Sequence, residues 1–123
     1  MSVISCSGFR SALQAETVCV MMDIVFEWDP EKERENVKKH GVYFDAAEKV
    51  FLDYCRMWRH DDDSSDGEDR WQTIGFFEKM LFVVYTERGD NGIRIISARL
   101  AEPFERRIYY GNSETHGWQR VNP

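Results

Sequence analysis

The sequence predicts one α+β domain in which a strand and two helices precede a four-stranded antiparallel meander and a C-terminal helix. Three observations predict this class. The 123 residues suit a single core, 14% of them are aromatic, and one helix-rich half is followed by a run of β-type segments separated by turns. We expect an extension over residues 1–22 that is disordered or helical, the folded domain over 23–112 and a flexible tail over 113–123.

The first half of the domain shows clear helix signals. Ile24 to Trp28 reads as a strand, and Asp29-Pro30 supplies an N-cap followed by proline at the first helical position. The segment PEKERENVKKHG then carries acids early and bases late, as a helix dipole prefers, and Gly41 closes it. Apolar residues at helical spacing predict a second helix over 44–52.

The second half shows the meander. Strands are predicted over 55–60, 70–77, 80–86 and 93–98, with a turn at Gly89-Asp90-Asn91-Gly92. Pro103 opens a terminal helix, on which we expect Phe104 and Ile108 to lie one turn apart on the buried side. No internal repeat or linker interrupts this order.

Charge and cysteine content narrow the class of protein. The net charge of −6 comes from the loop 61–69, which holds six acids and no base, while the rest of the chain is balanced. This distribution still allows a nucleic-acid ligand. Three cysteines without metal-ligand spacing favour a reducing, cytoplasmic setting. Residues 12–26 are apolar but contain Glu16 and Asp23, so neither a membrane span nor a signal peptide is expected.

Arginines in the last strand and helix are the main functional signal. In a regular strand Arg94 and Arg99, five residues apart, point to opposite sides of the sheet. On the helix, Arg106, Tyr109 and Tyr110 fall on an outward face. Guanidinium and phenol groups suit phosphate binding and base stacking. The alternative is that the arginines pair with nearby acids, among them Glu87, Asp90, Glu102 and Glu105.

Other groups of polar residues give weaker evidence for a catalytic or metal-binding site. Lys39 and His40 could be a catalytic pair or only helix-capping cations. The acidic loop matches part of a calcium loop but has Thr73 where a glutamate is needed, so a solvated loop is expected. No serine triad, phosphate-cradling glycine loop or zinc spacing occurs. We therefore expect no metal site and no cofactor.

Several motifs together resemble the BrnT family of bacterial toxins. They are FEWDPEKERENVKKHGVYFDAAEKVF, GEDRWQTIGF and VVYTERGDNGIRIISARLAEPFERRIYY, and the resemblance covers residues 26 to 110. The resemblance implies a RelE-like small ribonuclease fold and a metal-independent ribonuclease that inhibits translation. It also implies RNA as substrate and a BrnA-like ribbon-helix-helix antitoxin through which the complex binds promoter DNA.

The resemblance also suggests site residues. Metal-free cleavage by the ribose 2′-OH needs a base, an acid and cations at the phosphate. Arg70, Arg99 and Arg106 are expected to hold the phosphate, His40 or Glu68 to accept the proton, and Tyr109 or Lys39 to assist. Further RNA contacts are expected from Arg88, Arg94, Arg107 and Tyr110. Arg94 could instead be structural and pair with Glu87 across the hairpin.

Three departures from the family pattern occur: residues 1–22 lie outside the resemblance, and two single positions differ. Tyr43 stands where a small N-cap is common, and Leu100 follows Arg99 where many relatives carry a base. Together with the acidic balance, Leu100 favours a non-catalytic module that only binds an antitoxin and acts as a co-repressor.

Overall fold

The computed structural model describes residues 9–10, 17–21, 23–62, 67–111 and 117–121. In these ranges the chain forms a mixed sheet and three α-helices, which confirms the α+β class. The helices are α1 (Pro30–His40), α2 (Phe44–Lys49, continued by a 3-10 turn at Val50–Leu52) and α3 (Pro103–Gly111). The strands are β1 (Phe9–Arg10), β2 (Thr17–Met21), β3 (Ile24–Trp28), β4 (Met57–Asp61), β5 (Arg70–Phe77), β6 (Lys79–Arg88), β7 (Gly92–Leu100) and β8 (Gln119–Arg120).

The strands lie in the order β1-β2-β3-β7-β6-β5-β4-β8. Strands β4 to β7 form an antiparallel meander, as the turn pattern predicted, and β3 joins β7 in parallel. This parallel pair is possible because helices α1 and α2 and the first three meander strands lie between β3 and β7 along the chain.

Three described strands were missed by the sequence analysis. Strands β1 and β2 lie within the extension 1–22 and extend the sheet beside β3. Strand β8 lies within the tail 113–123 and pairs with the start of β4. Next to it Trp118 is 2% exposed, and the Phe82 ring packs against it. Burial of this one large side chain fixes residues 117–121 to the fold, which corrects the expectation of a wholly flexible tail.

Local chemistry explains the helix ends. The Asp29 side chain accepts a hydrogen bond from the Glu31 N–H at 2.9 Å, and Gly41 ends α1 at φ 71°. Tyr43 gives α2 no side-chain cap. The Glu33 carboxylate of α1 accepts the Phe44 N–H at 2.9 Å instead, so the missing N-cap oxygen comes from the preceding helix.

The sheet buries a cluster of apolar side chains on each face. One cluster joins α2 to the strands through Phe44, Ala47 and Val50. The opposite cluster contains Met57, Ile74, Met80, Phe82 and Trp118, with half-buried Ile108 and Tyr109 of α3 packed against it. The expected inward position of Phe104 is wrong, because Phe104 is 50% exposed and Glu105 is the buried residue of that turn.

Asn36 attaches α1 to the edge of β7. Its Nδ2 donates to the backbone oxygen of Ala98 at 2.8 Å and to that of Val42 at 2.9 Å, and its Oδ1 accepts the Ala98 N–H at 3.1 Å. Strand β3 pairs only with Gly92 to Arg94, so Ala98 lies beyond its reach. The Asn36 amide therefore replaces a neighbouring strand at this point of the sheet.

Candidate functional site

A β-bulge in β7 determines where its arginines point. Ser97 pairs with Val84 and Ile95 with Tyr85, so Ile96 has no partner on β6. This extra residue shifts the alternation of side chains by one position. Arg94 and Arg99 therefore lie on the same face of the sheet, and the expectation that they point to opposite sides is wrong.

Five arginines share this face, which is the face packed by α3. Alternation along the strands and the cross-strand register place them together on four adjacent strands. The set, here called the arginine face, consists of Arg59 on β4, Arg70 on β5, Arg88 on β6, and Arg94 and Arg99 on β7. The face therefore gathers five guanidinium groups on strands rather than on a loop, and Asp61, opposite Arg70 in the register, lies on it as well.

Carboxylates pair with three members of the arginine face, Arg88, Arg94 and Arg99. Arg94 donates to the Glu27 carboxylate of β3 at 2.6 Å, and Arg88 lies 3.1 Å from that of Glu68. The prediction that Arg94 pairs with Glu87 is wrong, because Glu87 lies opposite Ile93 and points to the other face of the sheet. The Arg88 side chain remains 45% exposed and the Arg94 side chain only 19%.

Arg99 connects β7 to α3. Its two terminal nitrogens donate to the two oxygens of Glu105 at 2.9 and 2.8 Å, and its guanidinium lies 4.2 Å from the centre of the Phe82 ring. Glu105 is 2% exposed, and these hydrogen bonds raise the pKa of the Arg99 guanidinium. A bidentate pair with a buried carboxylate is a strong structural contact. In the observed position Arg99 therefore has a structural role, because it holds α3 against β7.

The tyrosines and arginines of α3 differ in whether their side chains point into the fold or toward solvent. Tyr109 points inward and its hydroxyl donates to Asp53 at 2.7 Å, which corrects the expected outward position. Burial, and then the bond to Asp53, raise the pKa of the Tyr109 phenol well above its ordinary value. Arg106, Arg107 and Tyr110 are exposed. Tyr109 is therefore unsuited to giving up a proton, whereas the other three can meet a ligand.

Lys39 and His40 lie apart from the strands of the arginine face. They form the exposed last turn of α1, about one turn beyond Asn36 at the β7 edge. Within the described residues their side chains form no hydrogen bond or ion pair. The structure does not bring them into contact with Glu68 or Arg70.

Three residues that sequence reasoning missed belong to this region. Asn36 positions α1, Arg59 adds to the arginine face, and Thr86 lies buried in the middle of that face. Asn36 lies in the segment ENVKKHG at the end of the first motif quoted above, so that motif contained a signal for it. The register that groups Arg59 and Thr86 with the other residues could not be read from sequence.

The acidic loop meets the sheet at His60. The imidazole lies 2.8 Å from the Asp62 carboxylate and 3.1 Å from that of Asp69, and hydrogen bonds to both raise the pKa of His60. Residues 63–66 lie outside the described ranges, so the loop's partial calcium pattern is not tested. Among the residues with described positions, no three His, Cys, Asp or Glu side chains are grouped to hold a metal ion. No described helix is both long and apolar enough to cross a membrane.

The fold and the arginine face define a small α+β protein with a surface suited to an anionic polymer. The model of the family "Ribonuclease toxin, BrnT, of type II toxin-antitoxin system" matches residues 28–105. Because the match covers more than half of the chain, the chain belongs to the BrnT family of ribonuclease toxins.

A solved structure is also similar. The crystal structure of the Brucella abortus ribonuclease toxin BrnT shares 27% identity with this chain, with a TM-score of 0.47. The similarity covers 61% of this chain and 92% of that one. No curated protein matches the chain significantly.

Proposed function

We propose that this chain cleaves RNA without a metal ion and thereby inhibits translation. The ribose 2′-OH loses its proton and attacks the adjacent phosphate, the bond from phosphorus to the 5′-oxygen breaks, and that oxygen leaves with a proton as a 5′-hydroxyl. The observation that carries the proposal is the grouping of five arginines from four adjacent strands on one face. An RNA backbone carries one negative charge per nucleotide, so such a face supplies sequence-independent affinity. Rigid strands also hold cations in fixed positions while charge develops on the phosphate.

We assign the roles from position. Arg70 and the exposed Arg88 hold the scissile phosphate, and Glu68, which lies against Arg88, accepts the 2′-OH proton. Arg94 and Arg99 maintain the face through Glu27 and Glu105. The exposed α3 residues Arg106, Arg107 and Tyr110 extend the RNA path. Lys39 and His40 at the β7 edge are the alternative proton-transfer pair.

The biological setting follows from the family. A type II toxin has a protein antitoxin, and we propose a BrnA-like ribbon-helix-helix antitoxin that carries the complex to promoter DNA. We further propose a RelE-like arrangement of the toxin domain and action in the cytoplasm.

The decisive experiment incubates the purified, antitoxin-free chain with single-stranded RNA in excess EDTA and identifies the fragment ends. The proposal expects 2′,3′-cyclic phosphate ends and their loss in Arg70→Gln. The matched control is Arg34→Gln, since Arg34 is an exposed arginine on α1. Arg99→Ala is a poor probe, because it leaves buried Glu105 without its partner. Glu68→Gln and His40→Asn distinguish the two candidate bases. Intact RNA in a folded sample would refute the cleavage mechanism.

A second candidate is a binding module without catalysis. It is favoured by the carboxylates that pair with Arg88, Arg94 and Arg99, since each pair reduces the charge available to RNA. Leu100, 52% exposed beside Arg99, removes a position where a further base could stand. This candidate expects antitoxin binding that survives Arg70→Gln, together with an absence of cleavage by the wild type.

A further inference from the structure

Two buried threonines of the sheet differ in their hydrogen bonding. Thr73 and Thr86 are both 0% exposed. The Thr73 hydroxyl donates to the Met57 backbone oxygen at 2.7 Å and accepts from Arg56 at 3.3 Å. The Thr86 hydroxyl has no hydrogen-bond partner in the described structure. A buried hydroxyl without a partner is destabilising, so its presence calls for a reason.

Thr86 lies at the centre of the arginine face. It is directly opposite Arg94 in the β6–β7 register. On its other side Trp71 pairs with Tyr85, which places Arg70 beside Thr86 on the next strand. Arg88 follows two residues later on the same face of β6. The unpartnered hydroxyl thus lies among three guanidinium groups, each with a carboxylate beside it: Asp61 opposite Arg70, Glu68 against Arg88 and Glu27 against Arg94. A phosphate group would enter by taking the place of such a carboxylate.

We propose that the Thr86 hydroxyl is a hydrogen-bond donor to an oxygen of the phosphate held by Arg70 and Arg88. This inference rests on the proposed function, because it takes the phosphate to be one of the RNA backbone. Since Thr86 is fully buried, the arginine side chains beside it move aside as the anion enters. The hydroxyl adds a directed hydrogen bond to a site in which the arginines supply the charge.

The proposal gives Thr86→Val opposite effects on stability and binding. Valine has the same shape but no hydroxyl, so the variant loses a destabilising group and its Tm rises by a few degrees. The matched control is Thr73→Val, which removes a satisfied hydroxyl and lowers the Tm. Thr86→Ser keeps the hydroxyl and should bind as the wild type does.

Binding is measured by fluorescence anisotropy with a labelled, fully 2′-O-methylated RNA octamer, which the proposed mechanism cannot cleave. Thr86→Val weakens binding about tenfold or more, as expected for a hydrogen bond to a charged group. In Thr86→Val the slope of log affinity against log salt concentration stays as in the wild type, because no positive charge is removed. In Arg70→Gln the magnitude of that slope falls by about 0.7, because one phosphate contact is lost. Inorganic phosphate, tested by its effect on the Tm, shows whether the site accepts any phosphate or needs the polymer.

The outcomes separate this inference from the proposed function. Failure of the wild type to bind the octamer would refute the proposed function and the RNA-backbone assignment together. Wild-type binding that is unchanged in Thr86→Val would overturn the Thr86 site alone. A lowered Tm in Thr86→Val would show that the hydroxyl already has a partner, such as a buried water, and would also overturn the inference.

Discussion

Replacement of the buried Glu48 by glutamine should change how the stability of the protein depends on pH. Glu48 lies on α2, is 0% exposed, and has one carboxylate oxygen without a hydrogen-bond partner. Burial, together with the nearby charge of Asp45, raises the pKa of Glu48 from 4.5 to about 7, and Lys49 opposes this only in part. A pKa difference of one corresponds to about 1.4 kcal/mol. The full difference therefore corresponds to about 3 kcal/mol of unfolding free energy.

The sign follows from the two protonation states. Below pH 4.5 Glu48 is protonated in the folded and the unfolded chain. Between pH 4.5 and 7 the unfolded chain releases this proton while the folded chain keeps it, so the free energy of unfolding falls as the pH rises. Above about pH 7 the folded state is ionised too and the loss is complete. Glutamine has no such proton, so Glu48→Gln should gain up to about 3 kcal/mol relative to wild type between pH 4.5 and 8.

The assay is urea denaturation followed by tryptophan fluorescence at pH 4.5, 6, 7 and 8. The His60 contribution is present in both proteins and cancels in the difference. The control is Glu35→Gln, which makes the same substitution at an exposed position of α1. A Glu48→Gln difference from wild type that stays constant over these pH values would refute the assignment of a raised pKa to the Glu48 carboxyl.

Three further substitutions test the contacts that hold the fold around the site. Asn36→Ala removes the hydrogen bonds to Ala98 and leaves buried backbone groups unpaired. Chemical denaturation should therefore show a loss of about 2–4 kcal/mol in the free energy of unfolding. An unchanged denaturation midpoint would contradict the role of this amide. Arg99→Ala should lower the free energy of unfolding by about 3 kcal/mol, because it leaves the buried Glu105 carboxylate unpaired. The double variant Arg99→Ala, Glu105→Gln should recover part of this loss, and a double-mutant cycle measures the coupling. Gly75→Ala places a methyl carbon 2.9 Å from a side-chain carbon of the 3-10 turn and should lower stability by about 1–3 kcal/mol; a gain in thermal stability would show that the turn yields freely.

The sequence contained most of the helix and strand boundaries. Strand Ile24–Trp28, helix Pro30–His40 and strand Arg70–Phe77 were predicted with the bounds observed, because each ends at a local signal. The Asp29 cap and Gly41 fix α1 through contacts within a few residues of its ends. Such short-range chemistry is readable without knowledge of the tertiary fold.

The parts that were missed depend on contacts between distant residues. The bulge at Ile96 arises from the pairing of β6 with β7, and no local residue pattern announces it. The inward position of Glu105 depends on Arg99, and the position of residues 117–121 depends on the apolar cluster that Trp118 joins. For the site, the arginines were identified from sequence, but their grouping on one face required the register.

The Asn36 amide also has a consequence for how this protein meets other chains. An exposed strand edge is a template for pairing with another molecule, and it invites aggregation or recruitment by strand addition. At Ala98 both backbone groups that would receive such a strand are already occupied by a side chain of the same molecule. An extended partner segment therefore cannot continue the sheet at this point without first displacing α1.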